Sequence, residues 1–242
     1  MSGAAPELWV CHLGRVAYRD GLALQERLRD EREAGRIPDT LLLLEHDPVY
    51  TRGRRADPAE LPFDRGWYAG RGIEIVDVDR GGRVTYHAPG QLVGYPIVRT
   101  DAVVDHVRGM ERAMIATLDE AGVVARSRSD EGPDYTGVWV GERKIASIGV
   151  HVRRGIATHG FAVNVDMDLE PWTWIVPCGL TSAMTSIAAE LGEGESVACF
   201  RRRMAHAYAR ELGLRQRIVA PARLGHLPGA SPDPVAPAAG TG

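Results

Sequence analysis

Three amphipathic helical segments separated by short strand-like runs are the feature that most limits the folds open to this chain. The clearest helical segment spans about Ala102 to Ala121, and Gly122 follows as its predicted end. Its apolar stripe recurs every three or four residues and consists of Val107, Met110, Met114, Leu118 and Ala121. Segments near Val16–Glu33 and Glu195–Leu212 have the same periodicity. Helices that alternate with strands predict an α/β fold.

Strands are predicted for the short apolar or alternating runs between these helices. Thr40–Glu45 is a continuous apolar run, which is typical of a strand buried on both faces. Gly141 and Glu142 separate two strand-like runs, Gly137–Val140 and Lys144–Val152, and this spacing predicts a hairpin. The other predicted strands are Leu8–Val10, Ile73–Asp79, Val84–Tyr86, Leu92–Val98 and Phe161–Val165. The stretch from Asp47 to Gly72 is rich in Pro, Gly and Arg and is predicted to be a long loop.

The chain contains no obvious linker until near its end. Residues 1–218 are therefore predicted to form a single mixed-sheet domain packed with helices, within the usual size range of a domain. Residues 219–242 are rich in Pro, Ala and Gly with little apolar patterning, and are predicted to be a disordered tail.

Composition excludes several classes of protein. The 29 Lys and Arg against 32 Asp and Glu give a net charge of −3, which argues against non-specific electrostatic binding to nucleic acid or an anionic membrane. No apolar run is long enough to span a bilayer, and the first residues do not resemble a secretory leader. The three cysteines form no CxxC pair, which disfavours a zinc knuckle or a dithiol redox motif and fits a reducing cytoplasm.

The segment Arg80–Gln91 reads RGGRVTYHAPGQ and concentrates polar groups around a glycine pair. Adjacent glycines allow a backbone to approach a ligand closely, and the Arg, Thr, Tyr and His side chains supply hydrogen-bonding groups. A glycine-rich hairpin with polar surface residues would account for the same composition. The segment is not a P-loop, because it lacks the GxxxxGK[ST] pattern.

Lys144 is the only lysine in the chain. A basic complement made otherwise of arginine indicates that an amine able to titrate is needed here, since arginine cannot lose its proton. Strand alternation puts Lys144 on the same side as Ala146, Ile148 and Val150, which would bring its amine towards an apolar environment if that side faces the core. A surface lysine beside a turn is the alternative interpretation.

Two further segments contain candidate functional residues. His159 enters a predicted strand through a His-Gly step, and on its own it would more often be a structural histidine than a catalyst. Cys178 lies between Pro177 and Gly179, just before a predicted helix start, where backbone N–H groups can stabilise a thiolate or an oxyanion. Cys11 and Cys199 are predicted to be buried and inert.

Taken together, these segments resemble the octanoyltransferases of lipoate biosynthesis, within the biotin/lipoate protein ligase superfamily. The resemblance covers roughly Leu8 to Leu212 and rests on the ordered motifs RGGRVTYHAPGQLVGYP, KIASIGVHVRRG, HGFAVNVDMDL and PCG. It implies a fold like the catalytic domain of biotin and lipoate protein ligases. One departure is Ala88, where the family usually has glycine; alanine would be strained there if the position requires positive φ.

The resemblance also implies an activity and a set of site residues. In the family, the cysteine corresponding to Cys178 carries an acyl thioester, and the lysine corresponding to Lys144 lowers the pKa of that cysteine. The implied substrate-binding residues are Arg80, Gly81, Gly82, Arg83, Val84, Thr85, Tyr86, His87, Ser147, Ile148, Gly149, His159, Gly160, Phe161 and Ala162.

The implied reaction moves an octanoyl group from octanoyl-acyl carrier protein to a lysine of a lipoyl domain. The implied acceptors are the lipoyl domains of 2-oxoacid dehydrogenase complexes and the glycine cleavage H protein. No cofactor, ATP or metal is expected, Asp166 and Asp168 being more typical of a solvated turn. The protein is expected to be a cytoplasmic monomer that binds neither nucleic acid nor membrane.

Two alternatives stay open. An ATP-dependent lipoate- or biotin-protein ligase would have the same fold and would need no cysteine nucleophile. A non-enzymatic acyl-carrier-binding protein would have no reason to retain both Lys144 and Cys178.

Overall fold

An eight-stranded mixed sheet lies at the centre of the computed structural model, which describes residues 5–176, 183–192 and 194–225. The strands, in chain order, are β1 (Glu7–Val16), β2 (Asp39–His46), β3 (Val49–Arg52), β4 (Glu74–Asp77), β5 (Val84–His87), β6 (Gln91–Ile97), β7 (Arg126–Ser127), β8 (Gly137–Val140), β9 (Arg143–Arg153), β10 (Ile156–Asn164) and β11 (Arg215–Ile218). The helices are α1 (Tyr18–Glu33), α2 (Arg65–Ala69), α3 (Val103–Glu120), α4 (Ile187–Leu191) and α5 (Val197–Glu211). This architecture agrees with the predicted α/β domain built on one mixed sheet.

The strand order of the large sheet is β11-β1-β2-β6-β10-β9-β8-β7. The β11, β1 and β2 strands are parallel, and from β2 onwards each neighbouring pair is antiparallel. A second sheet has the order β4-β3-β5. No helix within the described residues is long and apolar enough to cross a membrane.

Both faces of the large sheet are covered by helices, which explains the unbroken apolar run in β2. Leu41 and Leu43 pack into the cluster that contains residues of α3 and α5. Leu42 and Leu44 pack on the opposite face, with residues of α1. All four leucines are at most 1% exposed. The strand predicted for Thr40–Glu45 is confirmed.

The helical periodicity predicted the three long helices well. Met110, Met114 and Leu118 of α3 are fully buried, as the stripe predicted. The helix ends before Gly122, whose φ of +86° is the left-handed conformation that glycine adopts without strain. The first helix begins at Tyr18 rather than near Val16, because β1 continues to Val16 through an irregularity at Gly14.

The prediction of a long loop over Asp47–Gly72 is wrong. This stretch contains β3, a 3-10 turn at Pro58–Glu60 and α2. Asp64 begins α2 by accepting a hydrogen bond from the backbone N–H of Trp67 at 2.9 Å. Elements of three to five residues are too short for apolar periodicity to reveal them.

The predicted start of the tail at residue 219 is also too early. Val219 and Leu224 are buried and pack into the cluster on the α1 face. Leu224 is the last residue of a 3-10 turn at Pro221–Leu224. Residues 219–225 therefore belong to the fold, and residues 226–242 lie outside the described part of the chain.

Candidate active site

Two adjoining cavities lie where β9 and β10 meet the segment that connects β4 to β5. The inner cavity has a volume of about 40 Å³ and the outer cavity about 270 Å³. Both are lined by Arg80, Thr85, Ser147, Ile148 and Gly149. The two cavities therefore lie side by side, with these five residues between or around them.

The structure brings most of the predicted site residues to these two cavities. The inner cavity is lined by the predicted residues Arg80, Thr85, His87, Ser147, Ile148, Gly149, His159, Gly160, Phe161 and Ala162. The outer cavity is lined by Arg80, Gly81, Gly82, Arg83, Val84, Thr85, Lys144, Ser147, Ile148 and Gly149. Three segments far apart in sequence therefore form one site.

Two predicted residues stand apart from this set. Tyr86 lines neither cavity, and its ring packs against Tyr50 and Trp172 in a separate apolar cluster. Neighbouring strand residues face opposite sides, so Thr85 and His87 reach the inner cavity while Tyr86 cannot. Cys178, and the helix start predicted after it, lie outside the described residues.

Arg80 provides a buried positive charge in the wall common to both cavities. Its guanidinium donates to the carbonyl of Thr51 at 2.9 Å and to the hydroxyl of Thr51 at 2.7 Å. It also donates to the carbonyl of Gly81 at 2.9 Å. These bonds attach the glycine pair to β3 and keep the guanidinium in a fixed orientation.

The glycine pair, Gly81 and Gly82, packs directly against β9. The N–H of Gly81 donates to the carbonyl of Val150 at 2.9 Å. A Cβ added to Gly149 would lie only 2.8 Å from the carbonyl oxygen of Gly81, so glycine is needed at position 149 for this close approach. The contact joins the small sheet to the large one beside the cavities.

A β-bulge sets the direction of Lys144. Lys144 pairs with Trp139 and Ala146 pairs with Val138, which leaves Ile145 as the extra residue in β9. Val138, Ile145 and Ala146 pack in the core on the α3 face. The prediction that Lys144 shares a side with Ala146 is therefore wrong. Its amine lies 5.1 Å from the centre of the Trp139 ring, and the side chain lines the outer cavity.

The backbone of Lys144 pairs with residues 183–185. Its N–H donates to the carbonyl of Ala183 at 3.0 Å, and its carbonyl accepts from the N–H of Thr185 at 2.9 Å. The N–H of Val176 in turn donates to the carbonyl of Glu60 at 2.9 Å. Chain segments on both sides of residues 177–182 are thus fixed by hydrogen bonds.

His159 is held in an unusual backbone conformation by two hydrogen bonds. Its φ is +56°, a value that non-glycine residues seldom adopt. Its N–H donates to the Gln25 side chain at 2.7 Å, and its Nε2–H donates to the Asp79 carboxylate at 2.8 Å. Burial lowers the pKa of His159, which keeps the ring neutral, and the hydrogen bond from His159 lowers the pKa of Asp79.

A family model for the lipoyl protein ligase A/B catalytic domain matches residues 17–209. The octanoyltransferase of Acidobacterium capsulatum is 43% identical over 219 residues, covering 84% of this chain and 87% of that protein. The octanoyltransferase of Acidothermus cellulolyticus is 46% identical, covering 77% of this chain and 84% of that protein. The chain belongs to this octanoyltransferase family. It is accordingly an enzyme, an acyltransferase.

Solved structures agree with the fold of the octanoyltransferase family. Ta0514 of T. acidophilum, a candidate lipoate protein ligase solved with bound lipoic acid, superposes with a TM-score of 0.72 at 19% identity. The match covers 90% of this chain and 89% of Ta0514. The fold expected from the resemblance to lipoate protein ligases is confirmed.

Ala88 causes no backbone strain. Among the described non-glycine residues, only Arg154 and His159 have positive φ, so Ala88 sits in ordinary backbone. Gly90, two residues later, adopts the left-handed conformation, with a φ of +85°. Position 88, where this chain differs from the family pattern, therefore does not require glycine.

Sequence reasoning missed several residues that line the two cavities. The inner cavity is also lined by Tyr18, Val93 and Tyr95. The outer cavity is also lined by Arg55, Val107, Pro133, Asp134, Thr136 and Val150. Asp79 was missed although it directly precedes Arg80. A tyrosine in a helix or strand has no local pattern that distinguishes a cavity wall from the core.

The two described cysteines differ from each other in burial and in pKa. Cys11 is fully buried, as predicted, and burial raises its pKa to about 12. Cys199 is exposed, so the prediction that it is buried is wrong. It lies in the first turn of α5, where hydrogen bonding with Ser196 and Arg202 lowers its pKa. Helical periodicity places only one side of α5 in the core, and Cys199 lies on the other.

Within the part of the chain that the structure describes, no group of three or more His, Cys, Asp or Glu side chains could hold a metal ion. Asp166 and Asp168 are both exposed, which agrees with the predicted solvated turn.

Proposed function

We propose that this enzyme transfers an octanoyl group from octanoyl-acyl carrier protein to the ε-amine of a lysine on a lipoyl domain. Cys178 is the nucleophile that carries the octanoyl group as a thioester, and Lys144 acts as thiolate stabiliser and base. The observation that carries the proposal is the position of Lys144. The only lysine of the chain lines the outer cavity, and its backbone pairs with residues 183–185, which follow Cys178 in sequence.

The backbone pairing of Lys144 with Ala183 supports the proposal that Lys144 and Cys178 act together. Cys178 precedes Ala183 by five residues in the sequence. A free thiol has a pKa near ~8.5, so only a few per cent of it is thiolate at neutral pH. An ammonium ~4 Å away at an effective dielectric of ~20 would contribute ~4 kcal/mol of attraction before desolvation is subtracted. Such a contact makes Cys178 largely thiolate.

The first half of the reaction is attack by the Cys178 thiolate on the thioester carbonyl of the donor. A carbon–sulfur bond forms to Cys178, the bond to the carrier's thiol breaks, and that thiolate leaves and takes up a proton. In the second half the acceptor amine attacks the acyl-enzyme, again with loss of a thiolate. The amine must lose a proton, and the neutral form of Lys144 accepts it.

The two cavities supply a place for the acyl chain. Ser147 and Gly149 line both the outer cavity, which also contains Lys144, and the inner cavity. Val93, Phe161 and Ala162 form apolar parts of the inner wall. An acyl group attached near Lys144 can therefore direct its apolar end inward, which removes that end from water.

Mass spectrometry tests the proposal directly. After mixing with octanoyl-acyl carrier protein, the enzyme should gain the mass of one octanoyl group, and this group should disappear when a lipoyl domain is added. The Cys178→Ser variant should form no thioester and transfer no octanoate. Transfer at the normal rate by that variant would refute the role of Cys178.

The two alternatives make different predictions. An ATP-dependent ligase would exchange pyrophosphate with ATP in the presence of the free acid, whereas a Cys178-dependent transferase would not. A non-enzymatic carrier-binding protein would hold Cys178 at the ordinary pKa of a thiol. Alkylation of Cys178 across a range of pH, in a Cys199→Ser background, separates this last case because Cys199 is itself exposed.

The substrates and setting follow from the same proposal. The acceptors are lipoyl domains of 2-oxoacid dehydrogenase complexes and the glycine cleavage H protein, and the enzyme acts as a cytoplasmic monomer. Each acceptor can be tested separately in the transfer assay, and size-exclusion chromatography with light scattering tests the monomer.

A further inference from the structure

A chain of buried hydrogen bonds connects the inner cavity to the segment that pairs with Lys144. The chain runs through His87, Gln91, Asn164 and Thr185. Gln91 and Asn164 are each 1% exposed. Buried amides of this kind are stable only when their donors and acceptors are satisfied, so their arrangement is specific.

Two backbone carbonyl groups, those of Thr185 and Tyr86, fix the direction of every hydrogen bond in this series. Thr185 offers a backbone carbonyl, which can only accept, so the Asn164 amide nitrogen donates to it at 2.8 Å. The Asn164 side-chain oxygen then accepts from Nε2 of Gln91 at 2.9 Å. Gln91 Nε2 also donates to the carbonyl of Tyr86 at 3.1 Å, which leaves the Gln91 oxygen facing His87.

This orientation determines the tautomer of His87. The Gln91 oxygen lies 2.7 Å from Nδ1 of His87, so Nδ1 bears the proton and Nε2 is an acceptor. His87 lines the inner cavity. Burial lowers the pKa of His87 well below its ordinary value, which agrees with a neutral ring.

At its other end, this series of hydrogen bonds reaches residues 183–185, which pair with the backbone of Lys144. The carbonyl of Thr185 accepts from Asn164, while the N–H of the same residue donates to the carbonyl of Lys144 at 2.9 Å. Thr185 therefore connects the Asn164 amide to the strand that carries Lys144. A loss of the Asn164 donor would leave a buried carbonyl unsatisfied at this joint.

We propose that Asn164 is a positioning residue, which holds residues 183–185 in register with Lys144 through Thr185 and holds His87 in one tautomer through Gln91. This inference rests on the proposed function for the role of Lys144. Asn164 does not line either cavity, and it acts only through its neighbours.

The Asn164→Asp variant removes the donor while keeping the size of the side chain. Its ionised carboxylate would face the carbonyl of Thr185, oxygen against oxygen. A protonated carboxyl can still donate to that carbonyl and accept from Gln91, so the defect should shrink as the pH falls. A misplacement of about 1 Å can cost roughly a hundredfold in rate, and we expect a loss of tenfold or more in acyl transfer near pH 8.

The test uses the full chain in a Cys199→Ser background. The rate of octanoyl-enzyme formation and the KM for the donor are measured between about pH 6 and about pH 8, where the variant carboxyl changes its charge most if burial raises its pKa. We expect a lower rate that recovers on acidification, with an unchanged KM. As a matched control, Thr117→Val removes another buried side-chain donor, which bonds only within α3 and to Met204, and should leave the rate unchanged.

A second readout does not depend on Cys178. Lys144 is the only lysine, so methylation with labelled formaldehyde gives one lysine signal by NMR beside that of the amino terminus. In Asn164→Asp the titration midpoint of this signal should move by about half a unit, which is a threefold change in proton affinity. The proposal is overturned if neither this midpoint nor the transfer rate differs from the parent.

Gln91→Glu provides a second variant if Asn164→Asp fails to fold. It keeps the bond from Asn164 to Thr185 but disturbs the one between Gln91 and Asn164, and we expect a smaller loss of rate in the same direction. An unchanged rate in Gln91→Glu would contradict a role for the bond between Gln91 and Asn164. If the parent itself forms no octanoyl-enzyme, the proposed function fails, and the Lys144 midpoint still decides the role of Asn164.

Discussion

The Nε2 atom of His159 lies 2.8 Å from Oδ1 of Asp79, which ties β10 to the residue that precedes Arg80. The other oxygen of the same carboxylate lies 2.5 Å from Nδ1 of His151. Asp79 therefore binds two histidines from neighbouring strands at the edge of the inner cavity. The bond to Asp79 helps to hold His159, whose buried ring is neutral, in a backbone conformation with positive φ, which non-glycine residues seldom adopt.

Asp79→Ala should destabilise the protein because it leaves the buried N–H of His159 without an acceptor. The expected loss is about 1–3 kcal/mol in the free energy of unfolding. Asp79→Asn keeps an acceptor oxygen for His159 and should lose less. Urea unfolding measures both. Asp77→Ala is the matched control, since Asp77 makes an exposed ion pair with Arg52 and should cost less than about 1 kcal/mol. Equal losses for Asp77→Ala and Asp79→Ala would contradict this role.

Lys144→Arg should separate the two roles proposed for Lys144. Arginine keeps the positive charge but cannot be deprotonated. The variant should still form octanoyl-enzyme, while transfer to the acceptor amine should slow by roughly a hundredfold or more, the usual contribution of a general base. Single-turnover assays of each half-reaction measure the two effects. Arg153→Lys, at the exposed end of the same strand, is the control. Normal transfer by Lys144→Arg would show that Lys144 is not the base.

Gly149→Ala should damage both stability and the site. A Cβ at position 149 would lie 2.8 Å from the Gly81 carbonyl, so the glycine pair would have to move away from β9. Overpacking of this kind costs about 1–3 kcal/mol. Gly109→Ala is a good control: its new Cβ would meet atoms no closer than 3.6 Å, and alanine in α3 should stabilise the helix by about 0.5–1 kcal/mol. Thermal or urea unfolding compares the two, and destabilisation by both variants would argue against the specific contact.

The reactivity of the two described thiols, Cys11 and Cys199, follows from their surroundings. Cys11 should not react with iodoacetamide in the native protein, because it is buried and its pKa is raised to about 12. Cys199 is exposed, and its pKa is lowered, so it should react. Peptide mapping after brief alkylation should find label on Cys199 and none on Cys11. Label on Cys11 without unfolding would contradict its burial.

The sequence allowed most of the site to be predicted because its residue types are unusual for scaffold. The glycine pair after Arg80, the single lysine and the His-Gly step all line the two cavities. What could not be predicted depends on tertiary contacts. The side of β9 that Lys144 faces is reversed by a bulge at Ile145, and strand alternation assumes that no bulge exists.

The elements and partners missed by sequence reasoning have similar causes. Asp79 acts only because β9 and β10 bring His151 and His159 beside it. Cys199 was predicted to be buried from the usual fate of a cysteine, whereas its position on α5 decides its exposure. The long helices were predictable, since their apolar stripes extend over many turns.

Stability should fall when the pH is lowered from about 7 to about 4.5, because several buried histidines are neutral in the fold. Burial lowers the pKa of His46 to about 4, and it also lowers the pKa values of His87 and His159. The unfolded chain, with histidines near ~6.5, binds more protons than the folded protein throughout this window, so acidification favours unfolding. His46 alone accounts for about 3 kcal/mol if its full shift is realised.

The His46→Gln variant isolates the contribution of one of these histidines. Nδ1–H of His46 donates to the Val16 carbonyl at 2.7 Å, and Nε2 accepts from the hydroxyl of Tyr95 at 2.7 Å. Glutamine can donate and accept at this position but does not titrate, so the variant should lose less stability than the parent on acidification, whatever its stability near pH 7. Urea unfolding near pH 7 and near pH 4.5 gives the two differences. An equal loss in parent and variant would mean that His46 is not neutral in the fold, since only a neutral buried ring has to gain a proton when the chain unfolds.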